Sequence, residues 1–345
     1  MNSLTGPVTA IDLEPFRLGG PTDRAEVAAR IDDACRSTGF LSITGHGVDT
    51  AVIERMLEVT TAFFDLSPEE KLGYVSEHKE GNRGYAAEGT EALSYSLGED
   101  SPPDLFEAFN IGREIPLDDD DRYVTAVRDT YFFPNIWPDR PAEMRAVWLE
   151  YWEAMESLGI TLLRAAALAL DLPEDWFTPM VDRSISVMRA INYERRPGSP
   201  DPLPGQLRMG AHSDYGSLTI LLADDVPGLE IRDPGGGWAP VPIPAGGFVV
   251  NIGDLLAEWT NDRWRSTIHR VVPPPVGTDG PVRRRSIAWF QQPNWDAVIE
   301  CLPTCTSASN PAKYRPVTSG EHLLAKLMGP RRMQPSEAAP EALRF

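Results

Sequence analysis

The sequence predicts an α+β protein in which helices flank a sandwich or jelly roll of short strands. Two observations carry the prediction. Residues 23–36, 50–65 and 141–170 repeat their apolar side chains at helical spacing. After residue 180 the texture changes to short β-prone runs parted by Gly/Pro clusters such as PGGGW and PIPAGG. Short strands at regular spacing favour a sandwich or jelly roll over a doubly wound sheet.

Taken in order, residues 23–36 place Val27, Ile31, Ala34 and Cys35 on one helical face, with Asp23 and Glu26 spaced as a capping box. Gly39 to Ile43 reads as a buried strand ended by Gly45-His46-Gly47, where the imidazole organises a turn. Residues 50–65 carry Ile53, Met56, Leu57 and Phe64 toward the core, and Ser67-Pro68-Glu69-Glu70 is a helix start with proline in its first turn. The polar stretch 76–104 reads as a long surface loop or lid. Residues 141–170 form the longest helical pattern, its stripe of Met144, Trp148, Tyr151, Met155, Leu158 and Leu162 read as core packing. Six strands are expected at 184–191, 217–222, 228–231, 248–252, 267–272 and 286–290, with a hairpin turn at Gly235-Gly236-Gly237 and a weakly patterned tail from Gly329.

The formal charge of −19 comes without any offsetting basic block, so nucleic acid and anionic membranes are not expected partners. No apolar run reaches membrane-spanning length and the N-terminus lacks a signal-peptide pattern, which makes the cytoplasm the expected location. Cys35, Cys301 and Cys305 are too few for a disulfide framework, and no histidine near the C-x3-C pair completes a zinc site.

Nucleophile-elbow, phosphate-loop and dinucleotide-binding signatures are absent, which leaves metal chemistry and five histidines: His46, His78, His212, His269 and His322. A His-x-acid pair is weak on its own, since chance gives roughly 0.7 of them in this composition. The chain has two, and context separates them. His78-Lys79-Glu80 sits in a solvated segment, whereas His212-Ser213-Asp214 leads into the buried run Ser217–Leu222. Side chains at i and i+2 of an extended segment point the same way, so His212 and Asp214 can converge on one ion. His269, inside the β-prone 267–272 run, is the candidate third donor from another strand. Two imidazoles and one carboxylate on one face suit Fe(II) with open positions for oxygen, and suit zinc less well. On the next strand Arg284 and Ser286 share a face while Arg285 points away, a pairing able to clamp a carboxylate. His322 reads as an ordinary residue of a terminal helix.

These motifs stand in a longer series. Gly39-Phe40, His46-Gly47-Val48, Ser67-Pro68-Glu69-Glu70-Lys71, Gly84-Tyr85 and Asn135-Ile136-Trp137-Pro138 precede His212-Ser213-Asp214, Asn251-Ile252-Gly253-Asp254, Trp259-Thr260-Asn261, His269-Arg270-Val271 and Arg284-Arg285-Ser286. From about residue 8 to 328 the chain resembles the iron- and 2-oxoglutarate-dependent dioxygenases of the isopenicillin N synthase-like branch. The resemblance implies a double-stranded β-helix, or jelly-roll, core flanked by helices. It divides the chain into an N-terminal helix/strand region (1–120), a helical connector (121–180), a catalytic core (181–300) and a C-terminal segment (301–345). It implies Fe(II) on His212, Asp214 and His269, with the distal carboxylate of 2-oxoglutarate on Arg284 and Ser286. Tyr193 matches a family tyrosine near the iron, although Glu194 follows it where the family usually has proline. O2 is implied as the oxidant and ascorbate as an auxiliary reductant.

The implied reaction is hydroxylation, desaturation or ring closure of a small natural product or amino-acid-derived molecule, as in secondary metabolism, with release of succinate and CO2. Two alternatives stand beside it: an oxidase of the same fold that uses no 2-oxoglutarate, and a metal-dependent binding protein without turnover. Candidate substrate contacts are Arg83, Tyr85, Tyr95, Phe106, Phe290, Gln292 and Asn294, with an exposed loop position the plainer expectation for Arg83. The sequence leaves substrate identity and oligomeric state open.

Overall fold

The computed structural model describes residues 8–78, 82–98, 101–114, 134–194, 201–274 and 283–332. Its first part runs β1 (Thr9–Asp12), α1 (Glu14–Leu18), α2 (Pro21–Ser37), β2 (Phe40–Thr44), α3 (Thr50–Phe64), α4 (Pro68–Leu72), β3 (Gly84–Ala86) and β4 (Glu107–Gly112). The long helix α5 (Met144–Ala169) follows. Then come β5 (Val187–Tyr193), β6 (Met209–His212), β7 (Leu218–Ala223), β8 (Leu229–Arg232), β9 (Trp238–Pro240) and β10 (Phe248–Ile252). The described chain closes with α6 (Asp254–Trp259), β11 (His269–Val271), β12 (Arg284–Gln291), the small pair β13 (Val298–Ile299) and β14 (Val317–Thr318), and α7 (Ser319–Arg332). Among the described residues no helix is long and apolar enough to cross a membrane.

An eight-stranded sheet runs in the order β1-β2-β10-β7-β12-β5-β4-β3, and a four-stranded sheet in the order β6-β11-β8-β9. The larger sheet therefore draws strands from both ends of the described chain. Central strand β10 is buried on both faces, which explains why Phe248–Ile252 reads as an unbroken apolar run rather than an alternating one. One face meets α2, α3 and α5 in a core that holds Trp148, Tyr151, Phe63 and Phe109. The other meets the small sheet through Ile191, Tyr193 and Val249 on one side and Met209, Leu229, Ile231 and Val271 on the other. Two packed sheets with helices outside are the jelly-roll arrangement that the strand spacing predicts.

Four expectations need correction. The cap of α2 lies three residues earlier than the Asp23/Glu26 spacing suggests: Pro21 starts the helix, and the Gly20 amide donates to Asp23 Oδ2 at 2.8 Å. The stretch 76–104 is no surface loop along its described length. It supplies β3 at the sheet edge and a 3₁₀ turn at Leu93–Leu97, and it buries Arg83, Ser94, Ser96 and Asp104. Its polar residues bond inward, so polarity misled: Asp104 accepts from the Leu93 and Gly210 amides. Strands β1, β4, β6, β9, β13 and β14 are additional to those expected, and all but the six-residue β4 have four residues or fewer. Finally, Gly329 lies inside α7, which runs to Arg332, and the rest of the tail lies outside the described residues. Three local expectations hold. Ser67 and Glu70 form a reciprocal cap on α4, the Asp233–Gly237 turn joins β8 to β9, and the three cysteines are free and buried.

Candidate active site

Strand pairing brings the site together. β11 runs antiparallel to β6, and His269 stands directly opposite His212, with a bulge before Val271. Asp214 lies two residues beyond His212, where the chain turns toward β7, and its carbonyl accepts from the Asp254 amide at 2.7 Å. That turn lies against the end of β10 so closely that a Cβ on Gly253 would stand 2.2 Å from the Gly216 carbonyl oxygen. Only glycine lets the two backbones meet there.

One donor atom from each of His212, Asp214 and His269 lies within 4.8 Å of the others, and all three residues are buried. Asp214 Oδ1 is 3.9 Å from His212 Nε2 and 3.8 Å from His269 Nε2. The remaining polar atoms of the set are engaged elsewhere. His212 Nδ1 donates to the Gly210 carbonyl at 2.8 Å and His269 Nδ1 to the Thr267 carbonyl at 3.1 Å, which places the ring proton on Nδ1 and leaves each Nε2 lone pair facing inward. Asp214 Oδ2 accepts from Thr219 Oγ1 at 2.5 Å and Asn251 Nδ2 at 2.7 Å, which leaves Oδ1 for the centre. Burial, followed by the neighbouring His269, lowers the pKa of His212 to about 4, so this imidazole is neutral and ready to donate a lone pair at pH 7. Burial opposes the charge on Asp214, but the two imidazoles and the Asn251 and Thr219 hydrogen bonds outweigh it and hold its pKa below the ordinary value. Two imidazoles with inward-facing lone pairs and one anionic oxygen form a donor set fitted to a divalent transition metal with open positions.

The three residues open into a cavity of about 1050 Å³. Arg284 and Ser286 face into it from β12, and Tyr193 faces Arg284 in register on β5. Arg284 is only 1% exposed. Its Nη1 reaches Ser286 Oγ at 3.4 Å and its guanidinium stands 5.1 Å from the Tyr193 ring. Its Nε and Nη2 have no hydrogen-bond partner among the described residues. A buried cation with two idle donors is costly unless an anion completes it, so this end of the cavity fits a carboxylate. Burial raises the pKa of Tyr193, Arg284 and the Ser286 hydrogen bond opposing it, so the phenol stays protonated and can donate.

Arg83, Tyr85, Tyr95, Phe290 and Gln292 also line the cavity. Arg83 is 7% exposed rather than an exposed loop residue, and burial lowers its pKa to about 10. The Tyr85 hydroxyl is committed to Glu107 Oε2 at 2.5 Å, leaving its ring to the cavity. Phe106 and Asn294 are absent from the wall. Phe106 packs edge-on against Tyr193 and beneath the Arg189 guanidinium. Asn294 is consumed structurally, donating to Asp182 and accepting from the Arg183 amide. His78 is exposed at the cavity rim, and its partner Glu80 lies outside the described residues. His46 bonds the Gly246 carbonyl and His322 faces Glu258, both away from the centre.

Sequence reasoning missed Thr219, Asn251, Glu91, Asn110 and Arg189. The first two carried a signal, as polar residues inside the apolar strands β7 and β10. It also missed the wall formed by α7, where Leu323, Lys326 and Leu327 reach the cavity and Lys326 bonds Asp254 at 2.8 Å.

A jelly roll with this pocket, two imidazoles and a carboxylate at one end and a buried arginine at the other, is the architecture of a non-haem iron oxygenase. Residues 8–140 match the family described as the N-terminal part of non-haem dioxygenases in morphine synthesis, and residues 185–293 match the 2OG-Fe(II) oxygenase superfamily. The chain is 33% identical to a 2-oxoglutarate-Fe(II) type oxidoreductase of Emericella nidulans, over 89% of this chain and 86% of that one. It is 35% identical to a homoarginine-6-hydroxylase of Arabidopsis thaliana, over 88% and 89% of the two chains. A full-length Neurospora crassa protein crystallised in complex with alpha-KG superposes with a TM-score of 0.82 at 30% identity, over 95% of this chain and 98% of that one. The chain belongs to the Fe(II)/2-oxoglutarate-dependent dioxygenases.

Proposed function

We propose that His212, Asp214 and His269 hold the ferrous ion, that Arg284 and Ser286 hold the distal carboxylate of 2-oxoglutarate with Tyr193 beside them, and that the substrate is a small amino-acid-derived molecule. The observation that carries the reading is the division of one buried cavity into two unfinished ends. Three lone-pair donors converge at one, and two idle guanidinium donors face in at the other. The iron, when bound, supplies the redox chemistry by which O2 decarboxylates 2-oxoglutarate to succinate and CO2 and oxidises a carbon of the substrate.

The protein's own contribution is ligation, orientation and shelter. Thr219 and Asn251 fix one oxygen of Asp214 so that the other is aimed inward. The Gly210 and Thr267 carbonyls fix the imidazole tautomers. Arg284 supplies a charge that needs no reorganisation when the keto acid arrives. Apolar walls such as Leu221, Ile191 and Phe290 keep bulk water from the reacting centre. Cationic groups inside the cavity admit an acidic molecule despite the acidic whole, whereas the net charge of −19 disfavours nucleic acid. The amino-acid class is supported by charges of both signs in the cavity and by the homoarginine-6-hydroxylase among the relatives.

The test is a product balance. Purified protein with Fe(II), O2, 2-oxoglutarate and candidate amino acids is expected to release one succinate per substrate oxidised. Oxidation of substrate without succinate would place the chain among the oxidases that use no keto acid. Succinate in constant excess over any oxidised product would remove amino-acid-type molecules as the substrate class.

A further inference from the structure

We propose that Arg189, Glu91 and Asn110 form the substrate-recognition site of this cavity and take a zwitterionic amino-acid-type molecule, its carboxylate on Arg189 and its ammonium on Glu91 and the Asn110 amide oxygen. The proposal deepens the functional reading above and rests on it.

Position comes first. On β5 the alternate residues Val187, Arg189, Ile191 and Tyr193 all face the cavity. Tyr193 pairs with Arg284 and Ile191 with Ser286, whereas Arg189 pairs with Ala288. Arg189 therefore lies four residues from the keto-acid clamp, on the order of 13 Å along the strand. Arg189 and the metal donors His212, Asp214 and His269 nonetheless line one and the same cavity. A molecule held there sits beside the metal donors without competing for Arg284.

Hydrogen bonding comes second. Arg189 Nη2 meets Glu91 Oε1 at 2.8 Å, and its guanidinium rests 5.1 Å from the Phe106 ring centre, which fixes its plane. Its Nε is buried with no hydrogen-bond partner among the described residues. Asn110, directly across the sheet from Arg189, is 3% exposed. Its Nδ2 donates to the Gly84 carbonyl at 3.4 Å, while its Oδ1 accepts nothing from the described residues. An idle donor and an idle acceptor on adjacent strands of a buried wall call for a ligand that offers both complements.

Charge decides the class. Lys326 is bound to Asp254, and Arg284 serves the clamp. Away from the metal donors, the charged side chains on the inner wall among the described residues include Arg83, which bonds the Asn82 carbonyl, and the ion-paired Arg189 and Glu91. A simple anion meets Glu91, and a simple cation meets two arginines. A molecule carrying both signs meets a complement at each end, which is also a device for rejecting the other two.

The test uses the full chain loaded anaerobically with Fe(II) and 2-oxoglutarate. The probes are free L-α-amino acids with basic, cyclic and aliphatic side chains, each beside its N-acetyl and carboxamide derivatives. The first readout is the perturbation of the iron–2-oxoglutarate absorption band, and the second is succinate release on admitting O2. At least one free amino acid is expected to perturb the band, with both of its derivatives at least tenfold weaker. In Glu91→Gln the penalty for N-acetylation should shrink below threefold, and in Arg189→Gln the penalty for the carboxamide should do the same. These ratios are taken within each variant, so a merely structural ion pair would weaken all three compounds together and leave the ratios unmoved, which overturns the proposal. A normal band that no free amino acid perturbs also overturns it while leaving the iron and keto-acid assignment standing. Failure of the band itself removes both.

Discussion

Replacing Asn251 with leucine should weaken metal binding by about one order of magnitude and leave the fold in place. Asn251 Nδ2 lies 2.7 Å from Asp214 Oδ2, and both residues are buried. A hydrogen bond to a buried charged acceptor contributes about 1.5–3 kcal/mol. Thr219 still holds the same oxygen at 2.5 Å in the variant, so the loss falls at the lower end of that range. At about 1.4 kcal/mol per decade this is roughly a 10- to 30-fold loss of affinity, within the range found when partners of metal ligands are removed. Two effects oppose each other: a carboxylate relieved of a donor is more basic, but it is also free to turn Oδ1 away from the centre. Orientation should win, because the two Nε2 atoms lie nearly 4 Å from Oδ1 and one ion is held only while all three donors point at the same place. Competition between protein and a chelator for Mn(II) or anaerobic Fe(II) at pH 7 measures the change, with a thermal melt to verify folding. Affinity within threefold of the parent in a folded variant would refute the reasoning, and a further Thr219→Val substitution should deepen the loss.

Three further outcomes follow from particular contacts. Arg284→Met should raise the 2-oxoglutarate requirement at least about 30-fold, since truncating a buried charged partner costs about 2–5 kcal/mol; an unchanged KM for the keto acid in steady-state assays would contradict the clamp. Lys71→Met should destabilise the fold by roughly 3 kcal/mol, because Lys71 Nζ lies 2.6 Å from a buried Glu107 carboxylate that the substitution leaves without its cation. A urea midpoint that does not move would show that Tyr85 and Asn192, which also bond Glu107, suffice. In the metal-free protein His212 should remain neutral to about pH 5, its pKa lying near 4 rather than 6.5. The unfolded chain then binds a proton over that window that the native protein refuses, so the contribution of His212 to stability is lost as pH falls from 6.5 toward 4. An NMR titration midpoint near 6.5 would contradict the burial argument.

Some of the site was legible because periodicity and strand logic act locally. The i, i+2 relation of His212 and Asp214 and the shared face of Arg284 and Ser286 follow from an extended backbone, whichever strands lie alongside. The pairing of β11 with β6, which sets His269 opposite His212, depends on contacts between distant segments that periodicity cannot register. Residues 76–104 failed for the converse reason. Their polarity suggested solvent, yet Asp104 and Arg83 are buried. Asn110 and Arg189 escaped notice because each looks ordinary alone, and only the register across β4 and β5 puts them side by side. Proximity in sequence suggests Phe106 and Asn294 for the wall, whereas packing on Tyr193 and bonding to Asp182 occupy them.

The most direct measurement is anomalous diffraction at the iron edge from crystals grown anaerobically with Fe(II). One strong peak is expected among His212 Nε2, Asp214 Oδ1 and His269 Nε2, and it should vanish in crystals of Asp214→Ala. A peak elsewhere, or one that survives that substitution in place, contradicts it.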